Sequence, residues 1–154
     1  MLSIMSLERM LAFAGHQIRR SHQIAVALFA EEAGPFEITP VQYAALTAIA
    51  EAPDCDATRL AAVVALDRST VGDVLERLEG RGLIEREYRA HDKRTKRLRL
   101  TDAGRALLKE IALPIARSQA RFIEVLAPDE QRQLHGLLAK LIRLHAADEE
   151  RLEA

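Results

Sequence analysis

The 154-residue sequence has a single cysteine, Cys55, and no long run of apolar residues. One cysteine excludes a disulfide framework and a zinc site built from several thiolates. Apolar runs stay short of the roughly 18 residues that a membrane-spanning helix requires, so we expect no transmembrane segment. Residues 1–5 lack a basic region followed by an apolar stretch, so we expect no signal peptide. These absences predict a cytoplasmic protein without a membrane partner.

The sequence also lacks the short motifs of several enzyme classes. It has no Gly-x-Ser-x-Gly nucleophile motif, no phosphate-binding loop and no His-Glu-x-x-His zinc motif. His16 and His22 are six residues apart, whereas two metal-binding histidines on one helix face lie at i and i+4. A metal site formed by His135, His145 and acidic neighbours is a less favoured alternative. We therefore expect no catalytic residues, no cofactor and no metal.

The net charge of −1, from 22 basic and 23 acidic residues, does not by itself indicate a nucleic-acid partner. The charge is unevenly distributed, however: −4 for residues 1–58, +4 for 59–99 and −1 for 100–154. Residues 86–99 alone carry seven basic and two acidic side chains, a local charge of +5. Because the local field determines what a surface attracts, this segment favours an anionic partner. A solvated charged hairpin is the alternative interpretation.

The N-terminal half of the sequence is typical of helices. Apolar residues at helical spacing predict one long helix over 4–33, ended by a Gly-Pro pair. Thr39, Pro40 and Gln42 then fit the N-cap, first and third positions of a capping box. This pattern predicts the start of a second helix.

Two further short helices are predicted to form a helix-turn-helix. Asp56 can cap the first and Asp67 the second, whose apolar residues fall at i, i+3, i+4 and i+7. A turn of about three residues separates them. Gly82 suits the left-handed position after the second helix, where Leu78 and Leu83 would make the usual apolar contact.

After the second helix of this pair the apolar period changes from 3.6 to 2. The change predicts strands over 83–88 and 97–100, with a polar and basic tip at 89–96. Only one face of this ribbon is apolar, so we expect it to lie against the helices.

The remaining sequence predicts two more helices. One starts at Thr101, and Pro114 should kink it or leave one hydrogen bond unmade. The last starts near Pro128. Length and a 49% hydrophobic content predict one domain spanning 1–154 with its own core. The predicted fold is mainly α with a small β-hairpin wing, a winged helix-turn-helix.

A helix-turn-helix followed by a basic hairpin can bind double-stranded DNA. The major groove admits the second helix, while the hairpin reaches the backbone or the minor groove, where arginine is favoured. The candidate DNA contacts are Arg68, Ser69, Thr70, Asp73 and Arg77 on the helix, and Lys93, Arg94, Lys96 and Arg97 on the hairpin. We assign Arg94 to the minor groove and the other hairpin residues to phosphates. Asp73 could accept from a cytosine amino group or pair with Arg77, and we favour the pairing.

Three segments resemble the MarR family of bacterial transcriptional regulators: Asp-Lys-Arg at 92–94 leading into Leu-Arg-Leu-Thr-Asp-Ala-Gly at 98–104, Asp-Arg-Ser-Thr-Val at 67–71, and Leu-Glu-Gly-Arg-Gly-Leu-Ile at 78–84. The resemblance covers nearly the whole chain. It implies a DNA-binding part at 38–101, in which Asp92 braces Arg94 while Arg94 enters the minor groove.

The resemblance also implies a homodimer with dimerisation helices at 4–33 and 102–147. A physical argument agrees with it, because these helices carry more apolar surface than one small winged helix could cover. Two recognition helices would meet successive major grooves, roughly 34–36 Å apart, so we expect a pseudopalindromic operator. Repression is the commoner mode in the family, and we expect a repressor.

By the same resemblance, a small aromatic carboxylate or phenol is expected to bind between the dimerisation helices and the winged helix. Residues 18–33 and 38–46 resemble a branch that regulates the catabolism of aromatic and N-heteroaromatic acids, similar to nicotinate-pathway repressors that sense a hydroxynicotinate. The candidate ligand residues are His16, Arg19, Arg20, His22, Gln23 and Tyr43. Arg20 could pair with a carboxylate and Tyr43 could stack on a ring. Solvent exposure or dimer pairing for the first five, and a hydrophobic staple for Tyr43, are the alternatives.

Two other functions remain open from the sequence. A winged helix can serve as a protein-interaction module without binding DNA, although such a module has no need of seven basic residues in its hairpin. Cys55 could make the protein a redox-sensing regulator. Asp54 and Asp56 flank this cysteine and disfavour the reactive thiolate, so we interpret Cys55 as a loop residue.

Overall fold

A computed structural model describes residues 6–89 and 92–152 of the chain. Within these residues, seven α-helices and two strands follow one another with short connections. In chain order they are α1 (Leu7–Leu11), α2 (Ala14–Ala33), α3 (Pro40–Glu51), α4 (Ala57–Val64), α5 (Arg68–Gly80), β1 (Ile84–Arg89), β2 (Asp92–Leu100), α6 (Asp102–Ile123) and α7 (Pro128–Leu152). A single 3-10 turn, Gly34–Phe36, follows α2. The expected mainly α fold with a β-hairpin wing is confirmed.

Capping residues define the starts of α3, α4 and α5. Thr39 accepts a hydrogen bond from the Gln42 N–H, and the Gln42 side chain accepts one from the Thr39 N–H at 3.0 Å, so the expected capping box is present. Asp56 and Asp67 each accept a bond from the backbone N–H three residues further on, at 2.8 and 2.9 Å. Each cap satisfies an N–H group that has no partner within its helix. The helix-turn-helix is therefore fixed by local signals.

The end of α5 is shaped so that β1 follows directly. Gly82 has a φ of +67°, a conformation that glycine adopts without the penalty a side chain brings. Its N–H donates to the Glu79 carbonyl at 2.8 Å, and the Leu83 N–H donates to the Leu78 carbonyl at 3.0 Å. These two bonds form a Schellman motif, and Leu78 and Leu83 are both buried in the core.

The wing is a two-stranded antiparallel ribbon in which Ile84 lies opposite Leu100. β1 has the predicted length, whereas β2 is longer than the sequence predicted. We expected residues 89–96 to form the tip, whereas β2 already begins at Asp92. The early part of β2 has no alternating apolar residues, so its strand character could not be read from periodicity.

The prediction of one continuous helix over 4–33 is wrong in the described part of the chain. α1 ends at Leu11 and α2 begins at Ala14, with Phe13 extended (φ −66°, ψ 134°) just before α2. No proline marks this break, Gly15 lies within the first turn of α2, and Phe13 offers no capping hydrogen bond. Because apolar residues continue at helical spacing across the break, periodicity could not reveal it. Residues 4–5 lie outside the described residues.

The core forms where α3, α4, α5 and the base of the wing meet α2 and α6. Its largest fully buried apolar side chains are Leu46, Ile49, Leu60, Val71, Leu75, Leu78, Leu98 and Ile111. The start of α6 approaches the wing very closely, since a Cβ at Gly104 would lie 2.1 Å from the Leu83 carbonyl oxygen. Thr101 caps α6 and its hydroxyl donates to the Gly82 carbonyl at 2.6 Å. The first turn of α6 is therefore joined to the turn between α5 and β1.

The two C-terminal helices differ in how they are covered. α6 runs through Pro114, which is buried, and it is tied to α2 because Glu32 accepts from Arg117 at 2.7 Å and from Arg121 at 3.0 Å. On α7, by contrast, Leu137 is 62% and Ile142 69% exposed. None of the helices in the described residues combines the length and apolar character needed to cross a bilayer.

Candidate nucleic-acid interface

α5 presents a polar face away from the core. Its apolar residues Val71, Leu75 and Leu78 are at most 2% exposed. Gly72, on the outer side, has no neighbouring atom within 4 Å of the place that a side chain would occupy, so a partner can approach the backbone. On the accessible side lie the five predicted DNA contacts of this helix, the half-buried Thr70 and the exposed Arg68, Ser69, Asp73 and Arg77.

Thr70 takes part in the start of α5. Its N–H donates to Asp67 Oδ1 at 2.9 Å and its hydroxyl donates to Asp67 Oδ2 at 2.5 Å. These bonds hold the pKa of Asp67 below its usual value, and the bond from the Thr70 hydroxyl is the largest cause. A hydroxyl that already donates its proton can only accept from a further partner. Thr70 is therefore suited to an amino group on a base edge.

The favoured pairing of Asp73 with Arg77 is not present. Among the described side chains, no hydrogen bond or ion pair joins the two residues. An exposed pair at this spacing contributes only a few tenths of a kcal/mol, which is too little to fix two mobile side chains. Both residues instead line a cavity of about 250 Å³ beside Thr39 at the start of α3. Their charges therefore face the same side of the molecule.

The first strand of the wing is anchored on α5. Arg86 Nε donates to Glu79 Oε2 at 2.7 Å, and Arg86 Nη2 donates to the same oxygen. This pair lowers the pKa of Glu79 and raises the pKa of Arg86, mainly through the hydrogen bonds between them. On the outer surface, Lys96 Nζ lies 5.1 Å from the centre of the Tyr88 ring, within cation–π range. Lys96 is exposed, so it can also reach a phosphate.

Arg97, a predicted phosphate contact, contacts the carboxylate of Asp54 in the same chain. Its Nη1 lies 3.3 Å from Asp54 Oδ2, and Arg99 Nε donates to Asp54 Oδ1 at 2.6 Å. Arg97 Nε is buried and has no hydrogen-bond partner in the described part of the chain. The side chains of the other predicted wing residues, Asp92, Lys93 and Arg94, are outside the described part of the structure. The expected contact between Asp92 and Arg94 is therefore also outside it.

A second feature is an open cavity of about 670 Å³ between α3 and α4. Alanine, leucine and valine side chains form most of its wall. The polar and ionisable groups that line it are Tyr43, Thr47, Glu51, Cys55 and Arg59. A concave, largely apolar wall with a few polar groups is typical of a small-molecule site. The guanidinium of Arg59 would suit an anionic group on such a molecule.

Tyr43 is the predicted ligand residue that lines this cavity. Its ring also packs against Phe29 of α2, with ring centres 6.2 Å apart. On α2 lie the other five predicted residues, the half-buried His16 and the exposed Arg19, Arg20, His22 and Gln23. Arg20 donates to Gln23 at 2.9 Å. These five residues are not part of the cavity wall within one chain.

Thr47, Glu51 and Arg59 also line the cavity but were not among the predicted ligand residues. Thr47 and Glu51 are four residues apart on α3, and Arg59 and Val63 are four apart on α4, so each pair shares a helix face. That spacing was a usable signal. The packing of the two faces around one cavity is a tertiary contact, however, and the pattern of neither helix reveals it.

Cys55 also borders the cavity and is only 6% exposed. Burial is the largest cause that raises the pKa of its thiol, Asp56 and Asp54 raise it further, and Arg59 opposes them. A raised pKa keeps the thiol protonated and less reactive, which disfavours redox sensing. Within the described residues, no group of three or more His, Cys, Asp and Glu side chains is arranged to hold a metal ion.

Comparison with known proteins identifies the family. The MarR family model matches residues 38–96. A probable transcriptional regulator from Pseudomonas aeruginosa is 36% identical, with 86% of this chain and 99% of that chain covered and a TM-score of 0.81. BpsR from Bordetella bronchiseptica, whose DNA binding is regulated by 6-hydroxynicotinic acid, is 29% identical, with 85% and 94% covered and a TM-score of 0.81. A mutant MarR from Escherichia coli, solved with operator DNA, is 26% identical, with 89% and 99% covered and a TM-score of 0.82.

These proteins match nearly their full length, so the likeness extends beyond the winged helix to the flanking helices. They are regulators of transcription, and the prediction that the chain is not an enzyme is confirmed. The resemblance first seen in the wing and recognition-helix motifs is confirmed as well. The chain belongs to the MarR family of transcriptional regulators.

Proposed function

We propose that this protein is a homodimeric cytoplasmic repressor that binds a pseudopalindromic operator and releases it when a small aromatic acid binds. The observation that carries the DNA-binding part is the exposed polar face of α5 beside a wing segment, 86–99, with a local charge of +5. A protein-interaction module would have no need of this charge. The operator complex of Escherichia coli MarR supports the same function.

Dimerisation accounts for the apolar surface that one chain leaves uncovered. Large exposed apolar side chains on α1, α2, α6 and α7 include Leu7, Leu11, Ile18, Ile24, Leu113, Leu137, Leu141 and Ile142. Extended apolar surface of this kind marks an interaction site. We assign the interface to helices within 4–33 and 102–147. The two-fold symmetry of such a dimer would present one α5 helix to each half-site, and successive major grooves lie roughly 34–36 Å apart.

The DNA contacts divide into two groups. In the major groove, base edges and nearby phosphates would be contacted by Arg68, Ser69, Thr70, Asp73 and Arg77. Arg94 would enter the minor groove, braced by Asp92, while Lys93 and Lys96 contact phosphates. Arg97 already shares its positive charge with Asp54, so we rank it behind the two lysines.

The effector would occupy the cavity between α3 and α4. Arg59 suits the carboxylate, and the Tyr43 ring suits an aromatic system. In the dimer, the site would be completed by the α2 residues His16, Arg19, Arg20, His22 and Gln23. The regulation of BpsR by 6-hydroxynicotinic acid supports an N-heteroaromatic acid as one candidate. A redox mechanism at Cys55 is less favoured because burial raises the pKa of that thiol.

Fluorescence anisotropy with a labelled palindromic fragment from the gene's own promoter tests DNA binding. The logarithm of the affinity should fall with the logarithm of the salt concentration, by about 0.9 for each phosphate neutralised. Arg94→Ala should weaken binding by about 1–3 kcal/mol, the scale of one good groove contact. Lys109→Ala removes a positive charge on α6 and should leave the affinity nearly unchanged. Binding that is indifferent to salt would contradict the proposal.

A thermal-shift screen tests the effector. Benzoate and 6-hydroxynicotinate should raise the melting temperature and release the DNA fragment, because a ligand stabilises the state that binds it. Cyclohexanecarboxylate is the control, since it has the same charge but no aromatic ring. Arg59→Gln should remove the shift if this guanidinium holds the carboxylate. If no aromatic acid raises the melting temperature or releases DNA, the effector assignment fails.

A further inference from the structure

The connection between α3 and α4 forms an outer edge of the wing. The Asp54 N–H donates to the Leu98 carbonyl at 3.2 Å, and the Leu98 N–H donates to the Cys55 carbonyl at 2.9 Å. β2 is therefore hydrogen-bonded on both edges, to β1 on one side and to this connection on the other. The Leu98 side chain is 1% exposed and fastens the same point of the strand to the core.

Asp54 adds a second contact at this edge through its side chain. Its carboxylate accepts from Arg99 Nε at 2.6 Å through one oxygen and lies 3.3 Å from Arg97 Nη1 through the other. Arg97 and Arg99 are two residues apart on β2, so their side chains leave the same face of the strand. One carboxylate thus holds two arginines. Asp54 has a φ of +69°, a conformation that Asp and Asn adopt more readily than most residues.

The two strands of the wing are anchored separately. β1 is tied to α5 by the pair of Arg86 and Glu79, and β2 is tied to the α3–α4 connection by Asp54. A two-stranded hairpin has little stability of its own, so its direction depends on such contacts with the rest of the molecule. The tip must reach DNA at the same time as α5, which makes the direction of the wing important for affinity.

We propose that Asp54 is a positioning residue for DNA binding, which holds Arg97 and Arg99 so that the wing keeps its direction relative to α5. This inference rests on the proposed DNA binding, but not on the effector. A purely electrostatic role predicts the opposite effect of removing the carboxylate, because it would free two cations and remove a negative charge near DNA. The sign of the change in affinity therefore distinguishes the two roles.

The test compares Asp54→Asn with Asp56→Asn by fluorescence anisotropy on the same labelled promoter fragment. Both variants remove one negative charge from the same connection. Asparagine tolerates the backbone conformation of residue 54 and preserves the helix cap at residue 56. Asp54→Asn should weaken binding about fivefold or more, because the amide loses both ion pairs and its nitrogen, a donor, cannot accept from the second arginine. Asp56→Asn should bind as well as the wild type or slightly more tightly.

Arg99→Gln removes the other partner of the same ion pair. Arg99 is exposed, so the fold should tolerate the substitution. It should weaken binding to a similar degree. The double variant should be no weaker than the stronger single variant, since both changes break one contact. Fully additive losses would contradict the proposal.

Footprinting at saturating protein separates positioning from a general defect of folding. With Asp54→Asn, hydroxyl-radical protection by the wing should be lost while methylation protection of guanine N7 in the major groove by α5 persists. Loss of both protections, or affinity of Asp54→Asn equal to or higher than that of Asp56→Asn, would overturn the inference alone. Failure of the wild type to bind would overturn the proposed function and this inference together.

Discussion

α5 and α7 have the same kind of apolar stripe but opposite surroundings. On α5, Leu75 and Leu78 are at most 1% exposed, and the chain itself supplies the surface that covers them. On α7, Leu137, Leu141 and Ile142 are 46–69% exposed. An amphipathic pattern therefore indicates that a helix face will be covered, but not whether the same chain or a second one covers it.

The largest effect is expected from charges on the exposed face of α7. Leu137→Glu combined with Ile142→Glu should prevent dimerisation, because four apolar side chains in the dimer would be replaced by charges. At about 1.5 kcal/mol or more for each side chain, the association free energy should fall by about 6 kcal/mol. Sedimentation velocity should then show a monomer that retains its helical circular dichroism.

Arg143→Glu is the control for this experiment, since helical spacing places it on the opposite face of α7. It adds a negative charge to the same helix and should leave the dimer intact. A dimer that survives the double substitution would show that this face of α7 is not the interface.

The second-largest effect is expected from a substitution in the core of the winged helix. Leu78→Ala should lower the free energy of unfolding by about 2–5 kcal/mol, because it leaves a cavity at a fully buried position. Urea denaturation at two protein concentrations measures the loss. The loss from Leu137→Ala should shrink when the protein is diluted below its dimer dissociation constant, whereas that from Leu78→Ala should persist. If the two losses depended on protein concentration in the same way, Leu137 would not be covered by a second chain.

Replacing glycine by alanine should change the stability of the protein in opposite directions at positions 104 and 136. Gly104→Ala places a Cβ 2.1 Å from the Leu83 carbonyl oxygen, so the fold must shift at a cost of about 1–3 kcal/mol. Gly136→Ala on α7 meets no atom within 4 Å and should stabilise the helix by up to about 1 kcal/mol. Thermal unfolding of both variants checks the signs. A neutral Gly104→Ala would contradict the close contact of α6 with the wing.

The smallest effect concerns the cap of α5. Hydrogen bonds from Thr70 hold the folded-state pKa of Asp67 below its usual value of 3.8. The stabilisation is therefore complete above the unfolded-state pKa and is lost as the pH falls through the lower folded-state value. Asp67→Asn keeps a good N-cap without the charge. The difference in melting temperature between wild type and Asp67→Asn should narrow from pH 7 to pH 3, and a constant difference would contradict the assignment.

Local signals in the sequence predicted much of this fold. Thr39, Asp56, Asp67 and Gly82 act where they were expected, because a cap depends on residues that are only a few positions apart. The recognition helix could be placed for the same reason. The polar face of α5 followed directly from the spacing of its buried residues.

The misses arise from contacts between distant parts of the chain. Asp54 meets Arg97 and Arg99 across more than 40 residues, so the sequence offered no reason to rank Arg97 behind the lysines as a phosphate contact. The cavity beside Arg59 depends in the same way on how α3 packs against α4. The break before α2 is a different case, since it carries no proline and its one nearby glycine, Gly15, lies inside α2.

The turn at Gly82 connects the recognition helix α5, the wing and α6 into one unit. Thr101 donates to the Gly82 carbonyl, and Gly104 packs against the Leu83 carbonyl. The start of α6 is therefore bound to the turn between α5 and β1. In the proposed dimer, a rotation of α6 would therefore move α5 and the wing together. The relative orientation of the two protomers would then set the distance between their α5 helices.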